Sequence, residues 1–380
     1  MYQKLLALST FCGTIIGVGL FGLPYVTAKV GFLPMIFYFL VLGAVMTLIH
    51  LIYGEIVLRT PGKHRLPGYN RLYLKSPLLE ALSYLSTIVG LTGALLAYLV
   101  VGGEFLTNLL QPYLGGSPLL YSSVFFSLGF LMIYFGSGPV SKTEFFSLGI
   151  FFFVQAVLLA KALPYLEPNH FTTAQLNPSN FFLPYGVILF SLAGTSVIPE
   201  MREILKGRER SLKNMIIVGS IIPIISYLIF IVTVYGVTGS ATTPEALAGL
   251  NAALGNGGLR LGFVFGTLTT FTSFLTLGIT LKKEFQYDRK LPALLSAVLA
   301  CLPAYLLYLA GLKDFIGIIG FVGAGALGID LVVIMAIYLK AKTSRRTPAY
   351  SLRLPGYLLA LLIILFLAGV GLELTHVFTP

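Results

Sequence analysis

The chain has 380 residues, of which 57% are hydrophobic and only 10% charged, and its mean hydropathy is +0.91. Soluble domains carry about 25% charged residues, so this composition excludes a soluble globular protein and indicates a polytopic membrane protein. The net charge of +11 does not indicate a nucleic-acid partner, because the basic residues follow a membrane topology. The partner that this composition predicts is the lipid bilayer.

Eleven apolar stretches are long enough to cross a bilayer as helices, which takes about 17 to 25 residues. We number them as spans one to eleven: 5–28, 32–58, 79–110, 119–137, 144–163, 181–204, 213–238, 259–281, 291–310, 314–339 and 355–376. The whole chain, 1–380, is predicted to be a single transmembrane domain.

The basic residues predict the orientation of these spans. If the amino terminus lies inside, all Lys and Arg residues except Lys29, Lys161, Arg260 and Lys313 fall in segments on the inner side. Positive loops stay in the cytoplasm. We therefore expect an inner-membrane protein with a cytoplasmic amino terminus and a carboxyl terminus outside.

Span one is apolar but contains Gly13, Gly17, Gly19 and Gly22, with Pro24 close behind. Glycine costs about 1 kcal/mol and proline about 3 kcal/mol relative to alanine inside a helix, so a plain membrane anchor would not favour them. Broken helices at membrane depth are tolerated where they line a cavity, and their ends suit a carboxylate, an ammonium or a small cation. The alternative is close helix packing through small residues, for which Gly13 and Gly17 have the right spacing.

Span six, five spans further on, has a comparable interruption at Ser191–Ser196, followed by Pro199. Transporters built from inverted repeats place broken helices at corresponding positions of the two halves. The predicted fold is therefore an all-α bundle of about eleven transmembrane helices with a 5+5 inverted-repeat core. Repeat one covers about 5–163, repeat two about 181–339, and one extra helix follows at about 355–376.

Several segments resemble a known family. GTIIGVGLFGLPY in span one, YGEIVLRTPGKHRLPGY (53–69), YLVVGGEFL in span three and FSLAGTSVIPEM in span six are similar to the amino acid/auxin permease branch of the amino acid–polyamine–organocation superfamily. The resemblance covers spans one to ten and implies the core of the sodium/leucine symporter type. Span eleven would lie outside that core.

An amino acid substrate brings one carboxylate and one ammonium, and a broken helix can bind both through its backbone. We expect the N–H groups of Gly17, Val18 and Gly19 to hold the carboxylate. Carbonyls near Thr14 and Ile15, with those of Ser191 and Ala193 in span six, would face the ammonium. Gly194 and Thr195, in the same break of span six, complete the predicted substrate-binding set.

Two aromatic residues are candidates for covering the substrate. Tyr98 in span three lies where members of the resembled family commonly place an aromatic ring over the substrate, and Phe190 directly precedes the break in span six. The alternative for Tyr98 is ordinary packing, because the chain contains 21 tyrosines.

Span eight carries a candidate ion site. Thr269, Thr272 and Ser273 share one helix face, and hydroxyl oxygens suit a hard cation. The resemblance implies that Thr272 and Ser273 match a sodium site completed by the carbonyls of Gly13 and Ile16. The alternative is that these hydroxyls bond only to their own helix. Proton-coupled relatives place a lysine in the middle of span five, where this chain has Gln155.

Acidic residues inside a membrane are functional candidates by default. Glu104 in span three and Asp330 in span ten are candidate proton sites, whereas Glu55 near the end of span two is expected to form a structural ion pair with the basic loop that follows.

Motifs for enzymatic or ATP-driven chemistry were not found. The sequence has no glycine-rich phosphate loop with lysine and hydroxyl, and its four histidines are scattered rather than clustered. We predict a secondary transporter, not an enzyme, that moves a small neutral amino acid by alternating access. Coupling to a sodium or proton gradient is expected, with no cofactor beyond a candidate sodium ion. The alternatives are an uncoupled exchanger or facilitator, and an amino acid sensor that does not transport.

Overall fold

The computed structural model describes residues 2–136, 140–172, 180–255, 260–344 and 346–378, and every regular element in these ranges is helical. In chain order the α-helices are α1 (Tyr2–Ile15), α2 (Gly19–Val30), α3 (Phe32–Arg59), α4 (Leu66–Tyr73), α5 (Pro77–Leu114), α6 (Pro118–Phe135), α7 (Val140–Ala162), α8 (Pro168–Thr172), α9 (Leu183–Ser191), α10 (Ile198–Ile204), α11 (Leu212–Thr238), α12 (Leu247–Leu254), α13 (Arg260–Asp288), α14 (Ala293–Leu309), α15 (Phe315–Phe321), α16 (Gly328–Ala341) and α17 (Gly356–Phe378).

The helices confirm an all-α polytopic membrane protein. Within the described ranges, nine helical segments are long and apolar enough to cross a bilayer, and the bent pair α1–α2 makes a tenth. The predicted ninth span corresponds to α14, a shorter apolar helix of 17 residues. Each of the eleven predicted stretches therefore coincides with helix, and the boundaries differ by a few residues.

Both predicted breaks are present. Helix α1 ends at Ile15 and α2 begins at Gly19, and the two axes differ by 49°. In span six, α9 ends at Ser191, and a 3₁₀ turn at Thr195–Val197 leads into α10. Pro199 lies in the first turn of α10, where its missing N–H costs no hydrogen bond.

The breaks lie at the centre of the bundle. Helix α1 packs against α7, α10 and α11, while α2 packs against α9 and α11. The long helix α5 packs against α6, α13 and α14 and against the middle of span ten. Spans one and six therefore cross each other with α5 beside them.

Span ten is not a continuous α-helix, which the sequence did not predict. A π-helical segment at Val322–Leu327 separates α15 from α16. It packs against α9 so closely that a Cβ atom on Gly323 would lie 1.9 Å from the carbonyl oxygen of Gly186. A π-helical turn inside a transmembrane helix often marks a functional site, and this one lies beside the broken span six.

One end of the bundle, where α3 ends and α11 begins, carries Arg59, Lys63 and Arg65 and is called the basic end below. Glu55 is fully buried there, and its carboxylate lies 2.8 Å from the Arg59 guanidinium. The same carboxylate accepts hydrogen bonds from the Ser351 hydroxyl at 3.0 Å and the Leu352 N–H at 2.6 Å. The predicted structural ion pair is thus confirmed, and it also fastens the α16–α17 link to α3.

Candidate functional site

A cavity begins at the two breaks and extends to the basic end. Its volume is about 1140 Å³ including the part open to solvent, and spans one, three, six, eight and ten form its walls. Arg65, Pro67 and Glu284 line its far part, so the opening faces the basic end. All predicted substrate residues except Val18 line the cavity: Thr14, Ile15, Gly17, Gly19, Tyr98, Phe190, Ser191, Ala193, Gly194 and Thr195.

Two glycines of span one allow its close contacts with spans three and six. A Cβ atom on Gly17 would lie 2.0 Å from the hydroxyl oxygen of Tyr98. A Cβ atom on Gly19 would lie 2.4 Å from Oγ and 2.9 Å from Cα of Ser191. Atoms that are not bonded to each other do not approach so closely, so these positions require glycine. The small-residue packing that we weighed as an alternative is present, and it forms the wall of the cavity itself.

Tyr98 reaches across from α5 to the break in span one. Its side chain is buried, and its hydroxyl is hydrogen-bonded to the backbone N–H of Val18 and to the side chain of Ser273. One phenol thereby connects spans one, three and eight. Val18 itself is fully buried and presents its N–H group, rather than its side chain, to the site.

Tyr227 of α11 holds both breaks together and was missed by the sequence analysis. It is fully buried, and its hydroxyl lies 2.6 Å from the carbonyl oxygen of Ile15 and 2.8 Å from that of Ser191. The N–H of Gly17 is bonded to the same hydroxyl. No signal distinguishes this residue in the sequence, where it is one of 21 tyrosines and lies in an otherwise apolar span.

The two phenols keep the polar backbone of the breaks satisfied in apolar surroundings. A buried N–H or C=O without a partner costs about 1–3 kcal/mol, and the two helix breaks would expose several such groups. Tyr98 and Tyr227 offer hydroxyls that can both donate and accept. A ligand with a carboxylate and an ammonium can take over these contacts without leaving the backbone unpaired.

Apolar side chains form the cavity wall between Tyr98 and the basic end. Leu91 and Ala94 lie on α5 within two turns of Tyr98, and Leu277 and Val322 face them from α13 and span ten. Together with Phe190 they make an apolar subsite directly beside the breaks.

The predicted ion set is only partly brought to the site. Ser273 reaches the break through its bond to Tyr98, whereas Thr269 and Thr272 donate to carbonyls of their own helix, at 2.5 Å to Phe265 and 3.1 Å to Thr269. Those donations leave the hydroxyl lone pairs available to a cation. The most extensive contacts of α13 are with α5, α6, α7 and α14, and those of α1 are with α7, α10 and α11. Helix α1, which carries Gly13 and is followed directly by Ile16, is therefore not closely packed against α13.

The two candidate proton sites lie in different places. Asp330 lines the cavity, and Ser86 of α5 donates a hydrogen bond to its carboxylate. Ser86 precedes Tyr98 by twelve residues of α5, which correspond to about 18 Å at 1.5 Å per residue. Asp330 therefore lies far from the breaks, toward the basic end of the cavity. Glu104 does not line the cavity and instead interacts electrostatically with the buried Glu245, which precedes α12.

Ion pairs and backbone contacts hold α10 against the end of α3. Arg65, on the cavity rim, lies 2.6 Å from the carboxylate of Glu200. Burial lowers the pKa of Arg65, but the charge and hydrogen bond of Glu200 outweigh burial, and the pKa is raised overall. Arg202 donates to the carbonyls of Val57 at 2.8 Å and Thr60 at 2.9 Å. The half of span six nearer the basic end is thus tied to span two.

Comparisons with known proteins identify the family of the chain and proteins of similar sequence and fold. The chain is 26% identical over 384 residues to "Tyrosine-specific transport system 1" of Haemophilus influenzae, covering 93% of this chain and 92% of the relative. Its fold is similar to that of MhsT, solved in complex with L-phenylalanine, with a TM-score of 0.67, 14% sequence identity and 98% coverage of both chains. The model of the tryptophan/tyrosine permease family matches residues 3–376. The chain, an amino acid permease rather than an enzyme, therefore belongs to the tryptophan/tyrosine permease family.

Proposed function

We propose that this protein transports an aromatic L-amino acid, with tyrosine as the first candidate, by alternating access. The observation that carries the proposal is a cavity that ends at two crossed helix breaks with an apolar subsite beside them. The expectation of a small substrate is thereby revised, because the curated relative is named for tyrosine and the matching family for tryptophan and tyrosine.

The backbone of the breaks would bind the part common to all amino acids. The N–H groups of residues 17–19 would hold the carboxylate and displace the phenol oxygens that now occupy two of them. The carbonyls of Ile15 and Ser191, which now contact Tyr227, would turn to the ammonium. Charged ligands are favoured at such half-helix ends by the peptide dipoles.

The subsite of Leu91, Ala94, Phe190, Leu277 and Val322 would take the side chain. An aromatic ring buries about 150–250 Å², which is worth about 4–6 kcal/mol at 25 cal/mol per Å². A small side chain would gain only a fraction of this. Burial therefore favours an aromatic substrate over alanine or serine.

The structure resembles the state in which the substrate leaves toward the basic end. The opposite side of the breaks is sealed by aromatic rings, with Phe21 packed edge-on against Phe105 at 4.8 Å and Phe230 at 5.8 Å between centroids. Alternating access would open this aromatic seal and close the cavity rim near Arg65. In that cycle the basic end is cytoplasmic, with the amino terminus inside, the carboxyl terminus outside and the protein in the inner membrane.

Coupling has two candidate sites. Sodium would bind the hydroxyls of Thr272 and Ser273 with the carbonyls of Gly13 and Ile16, with Thr269 beside them, once α1 closes on α13. A proton would bind Asp330, which lines the cavity, in preference to Glu104, which does not. We further place the chain in the amino acid/auxin permease branch, with repeats at about 5–163 and 181–339.

Equilibrium binding of radiolabelled L-tyrosine to the purified protein tests the proposal. Unlabelled tryptophan and phenylalanine should compete. Tyramine, which lacks the carboxylate, and N-acetyltyrosine, which lacks the ammonium, should not. If tyramine competed as well as tyrosine, the backbone of the breaks would not be binding the carboxylate of the amino acid. A failure of all aromatic amino acids to bind would reject the proposed substrate class.

A further inference from the structure

A second cleft lies at the basic end, apart from the transport cavity. Its volume is about 1420 Å³ including open solvent, and it is formed where the start of α1, the end of α3, the α10–α11 link and the α16–α17 link meet. The residues that line it share none with the transport cavity. The function proposed above does not use it.

The charge of the cleft is strongly positive. Lys4, Arg208, Arg210 and Arg346 line it, and Glu209 is the sole carboxylate among its described lining residues. Four positive charges against one negative leave a balance of +3 in one concave space. No carboxylate lies within 4 Å of any of these four cations in the described part of the chain.

The backbone adds to this positive character. The carboxylate of Glu209 accepts the N–H of Gly207 at 3.1 Å and also interacts electrostatically with Arg346 across the cleft. Ser211, also in the cleft, is the N-cap of the 27-residue helix α11, and its side chain makes no capping hydrogen bond. The N–H of Leu212, the first residue of α11, already donates to the carbonyl of Glu209, so this helix start favours an anion through the positive end of the helix dipole.

The surroundings of the cleft identify the source of the anion. Tyr2 and Leu5, on either side of Lys4, are 65% and 44% exposed. Exposed tyrosine and leucine at the ends of membrane-spanning helices lie against the lipid interface. A phosphate bound here would therefore be at headgroup depth, with apolar side chains beside it for acyl chains.

We propose that this basic cleft binds the phosphate headgroup of an anionic phospholipid. The four cations repel one another, and a bound phosphate would reduce this repulsion and add contacts between segments that already pack together. Basic pockets between transmembrane helices are suited to such headgroups, with each nearby Lys or Arg contributing attraction to the lipid. Because the proposal depends on the cleft alone, it stands or falls independently of the transported substrate.

Thermal unfolding of the purified full-length protein in a neutral detergent tests the proposal. Added phosphatidylglycerol should raise Tm, while phosphatidylcholine with the same acyl chains should not. An equal rise with both lipids would show that headgroup charge is not recognised and would overturn the proposal. A rise with inorganic phosphate alone as large as that with phosphatidylglycerol would overturn the assignment to a lipid.

The variant Arg208→Gln/Arg210→Gln, compared with Lys283→Gln/Lys340→Gln, assigns the effect to the cleft. Lys283 and Lys340 are exposed at the same end and lie outside the cleft, so the second variant matches the loss of charge. The phosphatidylglycerol concentration for half of the Tm rise should increase roughly tenfold or more in the first variant and stay unchanged in the control. Equal behaviour of the two variants would contradict the proposal.

A measurement on the unaltered protein covers the case in which the arginine variant does not fold. The number of phosphatidylglycerol molecules retained per protein in native mass spectrometry should fall as the ionic strength of the preceding wash rises, because salt screens exposed charges. Retention that does not depend on salt would mean that acyl contacts, rather than the basic cleft, hold the lipid.

Discussion

Gly17→Ala is the substitution that most sharply tests the geometry of the breaks. The new Cβ atom would lie 2.0 Å from the Tyr98 hydroxyl oxygen, whereas a carbon–oxygen contact needs about 3.3 Å, so the phenol must retreat by roughly 1.3 Å. That movement breaks its bonds to the Val18 N–H and Ser273. Overpacking costs about 1–3 kcal/mol and the two lost hydrogen bonds about 1 kcal/mol each, which together give about 3–5 kcal/mol.

This free energy predicts the loss of stability of the variant. The new methyl group also occupies the space beside the N–H groups of residues 17–19 that the carboxylate would enter, and crowding of about 1–3 kcal/mol there would lower tyrosine affinity about 5- to 150-fold. Binding of radiolabelled tyrosine to purified protein measures the change, and thermal unfolding shows whether the variant is folded. Gly149→Ala is the matched control, because Gly149 lies in α7 with nothing within 4 Å of an added Cβ atom.

A double-mutant cycle with Tyr98→Phe isolates the contact. Without the hydroxyl, the nearest atom to the new Cβ is Cζ of residue 98 at 3.2 Å, which a small shift relieves. Gly17→Ala should therefore cost less than about 1 kcal/mol in the Tyr98→Phe background. The reasoning is refuted if Gly17→Ala binds tyrosine as the unaltered protein does, or if its cost is the same in both backgrounds.

Three further predictions follow from the contacts described. Tyr227→Phe leaves the buried Ile15 carbonyl and Gly17 N–H without their partner, so the free energy of unfolding should fall by about 1–3 kcal/mol, whereas tyrosine, which would pair with these groups itself, should bind no more weakly; a tyrosine affinity that falls together with stability would contradict the replacement of the phenol by the substrate. Glu55→Ala should lower unfolding free energy by about 3–5 kcal/mol, because Arg59 is left buried and unpaired, while Glu203→Ala, which removes the exposed pair with Lys63, should cost less than about 1 kcal/mol. Asp330→Asn should abolish proton-driven accumulation but retain tyrosine counterflow in proteoliposomes; full accumulation under a proton gradient would remove Asp330 as the coupling site.

The fold and the position of the cavity could be predicted from sequence because both depend on local signals. Long apolar stretches specify spans, and glycines with a following proline specify breaks, as Gly17 and Pro199 show. These signals need no knowledge of which helices are neighbours.

Contacts between distant segments could not be predicted in this way. Tyr227 is an ordinary tyrosine until α11 is placed behind both breaks. The π-helical segment at Val322–Leu327 depends on the packing of Gly323 against Gly186, which lies in another span. The distance of Asp330 from the breaks follows from its pairing with Ser86. The basic cleft is formed by four segments of the chain that meet only when it is folded. Sequence periodicity carries no information on any of these.

The measurement that tests the central claim most directly is counterflow of radiolabelled L-tyrosine into proteoliposomes loaded with different unlabelled amino acids. Tyrosine, tryptophan or phenylalanine inside should drive rapid uptake in the unaltered protein and in Gly149→Ala, and uptake should be lost in Gly17→Ala. Alanine or serine inside should drive little. Counterflow supported equally by alanine would contradict an aromatic substrate, and undiminished counterflow in Gly17→Ala would contradict a binding site at the crossed breaks.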